Sequence, residues 1–319
     1  MTRTTPTTPP ITPAASAGRA DRAFFITLWA AVTIFTATAV GLFIQLVNGS
    51  WQSLTTFGFG FIVDSQWNPV TGHFGALPMI YGTVVSSFIA IAFAAVIGIG
   101  AATYLAEFAP RQIADPLAAL VELLAAVPSV VYGLWGLFVL VPILRAFVDP
   151  FLQAHFGFLP IFTGPIYGVG LLTAGIILAI MILPTVSAIS RDVIRAVGRE
   201  QREGGIALGS TRWETTWRIV LPAARTGIFG ACVLALGRAL GETIAATMVI
   251  GNKSVIAASL FAPSYTLSSV IANEFTEATS DIYISSLIEL GLILFIISFI
   301  VNGAARLLVN SVFSRNEGR

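Results

Sequence analysis

Residues 203–222 read EGGIALGSTRWETTWRIVLP, a polar, glycine-containing stretch set between long apolar runs. Its internal order points to two short helices meeting at a sharp angle. Thr211-Arg212-Trp213-Glu214 has capping-box form, in which a hydroxyl and a carboxylate three residues apart satisfy each other's exposed backbone amides. Trp213, Trp217 and Val220 follow at helical spacing and make one apolar stripe. Gly209, just before the box, permits the turn out of an earlier helix at about 192–208. Pro222 marks the start of the next apolar run. Physics alone leaves two readings open, a rigid knob on one membrane face or a surface helix packed on the bilayer.

The chain around this elbow has the bilayer as its solvent. Its 319 residues are 56% hydrophobic and 10% charged, with a mean hydropathy of +0.86, whereas soluble chains carry about 25% charged residues. The net charge of +1 speaks against nucleic acid, because a phosphate-backbone footprint needs a clustered basic excess. A lone cysteine, Cys232, excludes an intramolecular disulfide and a cysteine metal site.

Six stretches are long enough to cross ~30 Å of hydrocarbon as helices. They lie at about 24–47, 79–105, 117–144, 166–189, 227–251 and 284–309. Residues 1–23, rich in Pro, Thr and Ala, read as a disordered tail. The run 24–47 exceeds the 7–15 residues of a signal-peptide core, so an uncleaved first transmembrane helix is expected over a cleaved leader. A loop at 48–73, a core at 74–310 holding the polar loop 191–222, and a tail at 311–319 complete the division.

Arginine placement orients the chain, since positively charged loops stay cytoplasmic. With an inside amino terminus, the inside segments hold Arg3, Arg19, Arg22, Arg111, the arginines from Arg191 to Arg225, and Arg306, Arg315 and Arg319. The outside loops hold only Arg145 and Lys253, so both termini are expected in the cytoplasm of a multi-pass plasma-membrane protein. The first outside loop carries Trp51, Phe57, Phe59, Phe61 and Trp67 but no Lys or Arg, which suits packing at the interface. Arg145, Asp149, His155, Glu274, Glu277 and Asp281 read mostly as solvated surface, and Arg306 as snorkelling at the inner end.

Within the runs, polar residues need an explanation. Pro128 sits inside the third, where it marks either a kink or a break lining a pathway. Glu122 and Glu289 are carboxylates whose partners the sequence does not name. Arg238 and Glu242 fall near the centre of the fifth run, where each charge costs some 2.5–3.5 kcal/mol even on the lenient insertion scale. Four apart on a helix, they share a face and can form a salt bridge. The competing reading is functional. Arg238 presents a planar cation with five donors to an anionic substrate, and Glu242 steadies the guanidinium and keeps binding weak enough for passage.

A family resemblance bears on both features. Glu203-Gly204-Gly205, three residues, Gly209, nine residues, then Ile219-Val220-Leu221-Pro222 resembles the coupling loop of binding-protein-dependent ABC importer permeases. The departure is Gly204-Gly205 where two alanines are usual, each Gly costing ~1 kcal/mol in a helix. Two further motifs resemble the C-type permease subunits of phosphate-specific importers. They are Leu124-Ala125-Ala126-Val127-Pro128-Ser129-Val130-Val131-Tyr132-Gly133, and Gly237-Arg238-Ala239-Leu240-Gly241-Glu242-Thr243 with Val249-Ile250-Gly251-Asn252. The likeness covers roughly 74–309.

The resemblance implies an all-α, six-helix type I importer fold with no catalytic site of its own. It implies a substrate pathway at Arg238, Glu242 and Thr243, and ATPase coupling through Glu203, Gly204, Gly205, Ala207, Gly209, Leu221 and Pro222. Implied partners are an A-type permease, two ATPase subunits carrying ATP and Mg, and an extracytoplasmic phosphate-binding protein. Gly251-Asn252-Lys253-Ser254 lacks the Gly-Lys pair of a P-loop, so the ATPase is expected on another chain. The alternatives are a permease for sulfate or molybdate, the A-type subunit itself, an ion-coupled carrier, which would usually show internal repeats that are not evident here, and a membrane scaffold that senses phosphate without moving it.

Overall fold

The computed structural model describes residues 17–308. It separates into a unit ending at Asn48 and a second beginning at Gly49. The described part of the first is α1 (Ala17–Gly49), whose last residue falls at the boundary. Thr27, Thr33, Thr36 and Thr38 each donate their hydroxyl to the carbonyl four residues back, at 2.8–2.9 Å, so a threonine-containing run can sit in hydrocarbon with its hydroxyls satisfied. The helix corrects part of the expected tail, since 17–23 are helical; 1–16 and the expected tail 311–319 lie outside the described residues.

The second unit opens with α2 (Trp51–Phe57), α3 (Gly60–Val63) and a hairpin of β1 (Trp67–Asn68) and β2 (His73–Phe74). Helix α4 (Leu77–Thr103) follows and ends in a π-wound turn, Tyr104–Phe108. Helices α5 (Arg111–Ala125) and α6 (Ser129–Trp135) come next. The path from α6 runs through the π-wound Gly136–Leu140, α7 (Val141–Ile143) and the π-wound Leu144–Val148 into α8 (Asp149–Phe156). The remaining helices are α9 (Leu171–Ala196), α10 (Arg199–Ala207), α11 (Arg212–Thr215), α12 (Leu221–Leu240), α13 (Ile244–Val249), α14 (Leu267–Glu274) and α15 (Asp281–Leu308). A π-wound turn, Thr216–Val220, joins α11 to α12.

Among the described residues six helical stretches are long and apolar enough to span a membrane, as expected, but two differ from the hydropathy reading. The third begins at Ser129 and not near 117. Pro128 has no amide to donate and biases the preceding residue away from helix, so α5 stops at Ala125 and α6 restarts after an extended Pro128 (ψ 142°). Pro128 thus marks a break, not a kink. Tyr132 Oη donates to the Leu124 carbonyl at 2.7 Å and satisfies one of the groups this frees. The fifth stretch ends at Leu240, where Gly241-Glu242-Thr243 interrupts the expected 227–251 run before α13.

Helix α9 is the central post. It is apolar nearly all round, and Leu178, Met181, Ile182 and Val186 pack with Ala90 and Ala94 of α4 and Ala235 and Ala239 of α12. The loop 48–78, expected as interfacial packing, folds into an aromatic cap in which Phe61, Phe74 and Tyr283 are buried and Trp67 packs against them. Trp67 Nε1 and Tyr283 Oη donate to Glu274 at 2.8 and 2.6 Å. Glu274 is therefore tied into this cap instead of being solvated, and Asp149, also expected at the surface, is buried. Arg145, His155, Glu277 and Asp281 are exposed as expected.

Candidate functional site

The break between α12 and α13 carries the polar residues of the fifth run. Arg238 lies in the last turn of α12, where a cation interacts favourably with the unpaired carbonyls of the helix end. It is exposed, and Nη1 donates to Thr185 Oγ1 at 3.5 Å, near the middle of the 26-residue α9. Along the same side of α12, Thr226, Gly230, Leu234 and Gly241 are also exposed, a stripe open along the length of the helix.

Among the described residues no ion pair joins Arg238 to Glu242, which removes the salt-bridge reading and, from the functional reading, the part in which Glu242 steadies the guanidinium. The physical reason is the break. With the helix ended at Leu240 the two side chains no longer stack one turn apart. Glu242 Oε1 instead accepts from the Ala245 amide at 3.2 Å, in the first turn of α13, and the Glu242 carbonyl accepts from Ser268 Oγ at 2.8 Å. Thr243 Oγ1 donates to the Gly241 carbonyl at 3.4 Å, so its hydroxyl is spent within the break.

The two intramembrane motifs meet here. Tyr132 packs in one cluster with Ala235 and Ala239 of α12. Gly133 lies under α13, where a Cβ would stand 2.5 Å from Met248 Sδ and 3.2 Å from Ala245 Cα, so a larger residue would have to displace the Met248 side chain and crowd the α13 backbone. The result is an exposed guanidinium that, among the described residues, has one hydrogen bond, to Thr185. It can take an oxyanion reversibly, offering planar donors and little else to trap it.

Thr185 and Ser268 were not identified from the sequence. Thr185 had one local signal, the preceding Pro184 inside an apolar run, and Ser268 sits in a capping box headed by Thr266. The carboxylates left without partners also find places. Glu122 pairs with Arg191 at 3.0 Å, and Glu289 is buried beside Ser53.

The elbow forms much as its residues dictate. The capping box closes in both directions, Glu214 N to Thr211 Oγ1 at 3.2 Å and Thr211 N to Glu214 Oε2 at 2.9 Å. Gly209 has φ +86°, with Ser210 N bonded to the Gly205 carbonyl and Gly209 N to that of Ile206, the pattern of a helix stopped by a left-handed residue. The earlier helix is not continuous over 192–208, because α9 runs to Ala196 and α10 starts afresh at Arg199 after extended Val197 and Gly198. Glu203, Gly204, Ala207, Gly209 and Pro222 are exposed, Leu221 is half-buried, and Gly205 is buried against Ile219 and Thr215. Trp213 and Trp217 stack and are exposed while Val220 is fully buried, so the expected stripe splits between two surroundings.

The described chain is thus a bundle of long apolar helices with a broken, arginine-bearing stretch and a structured polar elbow, the make-up of a membrane-embedded permease. The chain belongs to the family described as binding-protein-dependent transport system inner membrane component, whose model matches residues 94–314. It is 50% identical over 299 residues to the phosphate transport system permease protein PstC of Mesorhizobium japonicum, covering 92% of this chain and 91% of that protein. The corresponding figures for PstC of Pasteurella multocida are 47% identity, 86% and 87%. A probable PstC of the archaeon Methanocaldococcus jannaschii is 36% identical, covering 88% and 91%.

Among solved structures, a bacterial alginate ABC transporter in complex with its alginate-bound periplasmic protein matches with a TM-score of 0.61 at 14% identity, covering 92% of this chain and 96% of that one. An inward-facing MetNI methionine ABC transporter matches with a TM-score of 0.55 at 16% identity, covering 77% and 99%. The fold is that of ABC transporter permeases, as the coupling-loop resemblance implied.

Proposed function

We propose that this chain is half of an inorganic phosphate import pathway, the C-type permease of a heterodimer with an A-type permease. In this reading the elbow faces the cytoplasm and seats Glu203, Gly204, Ala207 and Gly209 in a separate ATPase, two copies of which supply ATP and Mg chemistry. An extracytoplasmic phosphate-binding protein delivers substrate at the opposite face, and both termini are cytoplasmic, in keeping with the arginine distribution.

The observation that carries the reading is Arg238, exposed at a helix break on an open stripe of α12. The stripe is the surface a second permease would face across the pathway, and the guanidinium is the cation that phosphate would meet there. Glu242 contributes by ordering the first turn of α13 and not by holding Arg238. Conformational change in the ATPase moves the elbow, the helices above it reorganise, and the anion is released on the far side.

The test is uptake of labelled phosphate and labelled sulfate by the assembled complex in proteoliposomes, with Arg238→Leu alongside. Phosphate uptake by the parent complex, lost in Arg238→Leu at equal assembly, is expected. Normal uptake in the variant would remove the site, and sulfate uptake without phosphate uptake would replace the substrate.

A further inference from the structure

We propose that Arg202 is the joint that carries movement of the elbow into the membrane helices, by locking α10 to the ends of α4 and α9; this rests on the importer reading above. Between α9 and α10 the chain has only the extended residues Val197 and Gly198, so the backbone there does not by itself fix α10, whose packing is through Gly205 on Ile219 and Thr215 of the second elbow helix. Arg202 ties it to α9. Its Nη2 donates to the Ile194 carbonyl at 2.7 Å, which also accepts from the Val197 amide, and its Nη1 donates to the Val197 carbonyl, so it grips the carbonyls at the end of α9.

The same guanidinium reaches across to α4. Nη2 and Nε donate to Glu107 Oε1 at 2.7 and 3.1 Å, and Nε lies 3.3 Å from Oε2. Glu107 sits in the π-wound turn that ends α4, and its carbonyl accepts from Arg212 Nη2 at 2.9 Å, so the second elbow helix holds the same residue. Of the ion pairs among the described residues, this is the one with both side chains largely buried, 21% and 11% exposed. The acids paired with Arg191 and Arg195 are 60–68% exposed. A surface pair adds little, whereas a desolvated, forked one fixes geometry.

Position makes the pair a transmission element and not only a brace. Arg202 immediately precedes exposed Glu203, so a load on the elbow tip arrives one residue away. The helices it grips include α9, which carries Thr185, the hydrogen-bond partner of Arg238. With the joint intact, α10, α4 and α9 move as one body. Without it, α10 stays packed on the second elbow helix through Gly205 but loses its tie to α4 and α9, and the stroke is lost. Lysine cannot replace it, because a point charge has no planar fork to hold a carboxylate and two carbonyls together.

The experiment measures labelled anion moved per ATP hydrolysed by the assembled complex in proteoliposomes, with assembly followed by size-exclusion chromatography. Arg202→Gln, Arg202→Lys and Glu107→Gln are expected to lower that ratio at least about fivefold, the lower end of usual site-to-site coupling, while hydrolysis continues. In a Cys232→Ala background, Arg202→Cys with Glu107→Cys is expected to be uncoupled, and bridging the two thiols with a short bis-thiosulfonate linker to restore the ratio. An unchanged ratio in Arg202→Gln, or hydrolysis and uptake falling together with loss of assembled complex and no rescue by the bridge, overturns the joint. The ratio is taken with whichever anion the parent complex moves, so the parent arm alone judges the phosphate reading and the variant arm alone judges the joint.

Discussion

Arg238 carries a cost that its local surroundings only partly offset. An arginine at mid-membrane costs at least 2.5–3.5 kcal/mol, and the carbonyls of a helix end return about 0.3–1 kcal/mol. One 3.5 Å hydrogen bond to Thr185 does not close the gap. The difference is what the substrate-pathway role proposed for Arg238 would account for. Gly204 and Gly205, adjacent and alike in composition, separate at this scale. A Cβ on Gly204 meets nothing within 4 Å, while one on Gly205 stands 2.7 Å from Ile219 Cδ1 and 3.0 Å from Thr215 Cγ2. Gly204→Ala is therefore expected to stabilise the elbow by up to about 1 kcal/mol through helix propensity. Gly205→Val is expected to cost about 1–3 kcal/mol by overpacking. Thermal unfolding of the purified complex checks both, and equal shifts in the same direction would contradict the packing described.

Two elements are broken where hydropathy reads them as continuous. A hydropathy window counts apolar residues, and neither Pro128 nor Gly241-Glu242-Thr243 removes enough of them to be seen. What the breaks change is hydrogen bonding, and each is repaired by a side chain from elsewhere along the chain. Tyr132 reaches the Leu124 carbonyl, and Ser268 reaches that of Glu242. Tyr132→Phe removes one partner of a carbonyl that water cannot readily replace, and is expected to destabilise the chain by about 1–3 kcal/mol. It is also expected to lower uptake, because α6 supports α13 through Gly133. Parent-like stability and uptake in that variant would show that the carbonyl is satisfied otherwise. Pro128 was legible as an interruption from its missing amide alone. Whether it bends or breaks the helix was not, because the answer depends on Tyr132 folding back eight residues.

For the whole molecule the central question is which face looks inward. In the structure the residues near 105–115 meet the elbow through Arg195, Arg202 and Arg212 on one face. The segments near 161 and 260, and 81 and 257, join on the other. Which of the two faces is cytoplasmic is the expectation drawn from the arginine count. Alkaline phosphatase fused after Asp64 is expected to be active and after Gln201 inactive, since the enzyme folds only outside the cytoplasm. The reverse pattern would invert the orientation and place the elbow beyond reach of ATP.

Contiguous residues by themselves determined the membrane setting, the number of spans, the capping box, the left-handed turn at Gly209, and the motifs by which the family is recognised. These are local properties, set by side-chain solvation and by backbone bonds a few residues long. The tertiary structure decided where two spans break, that Arg238 meets Thr185 and not Glu242, and that Arg202 meets Glu107 across 95 residues of chain. A charge in a low-dielectric interior takes whichever partner packing brings within reach, and packing is a property of all the helices together.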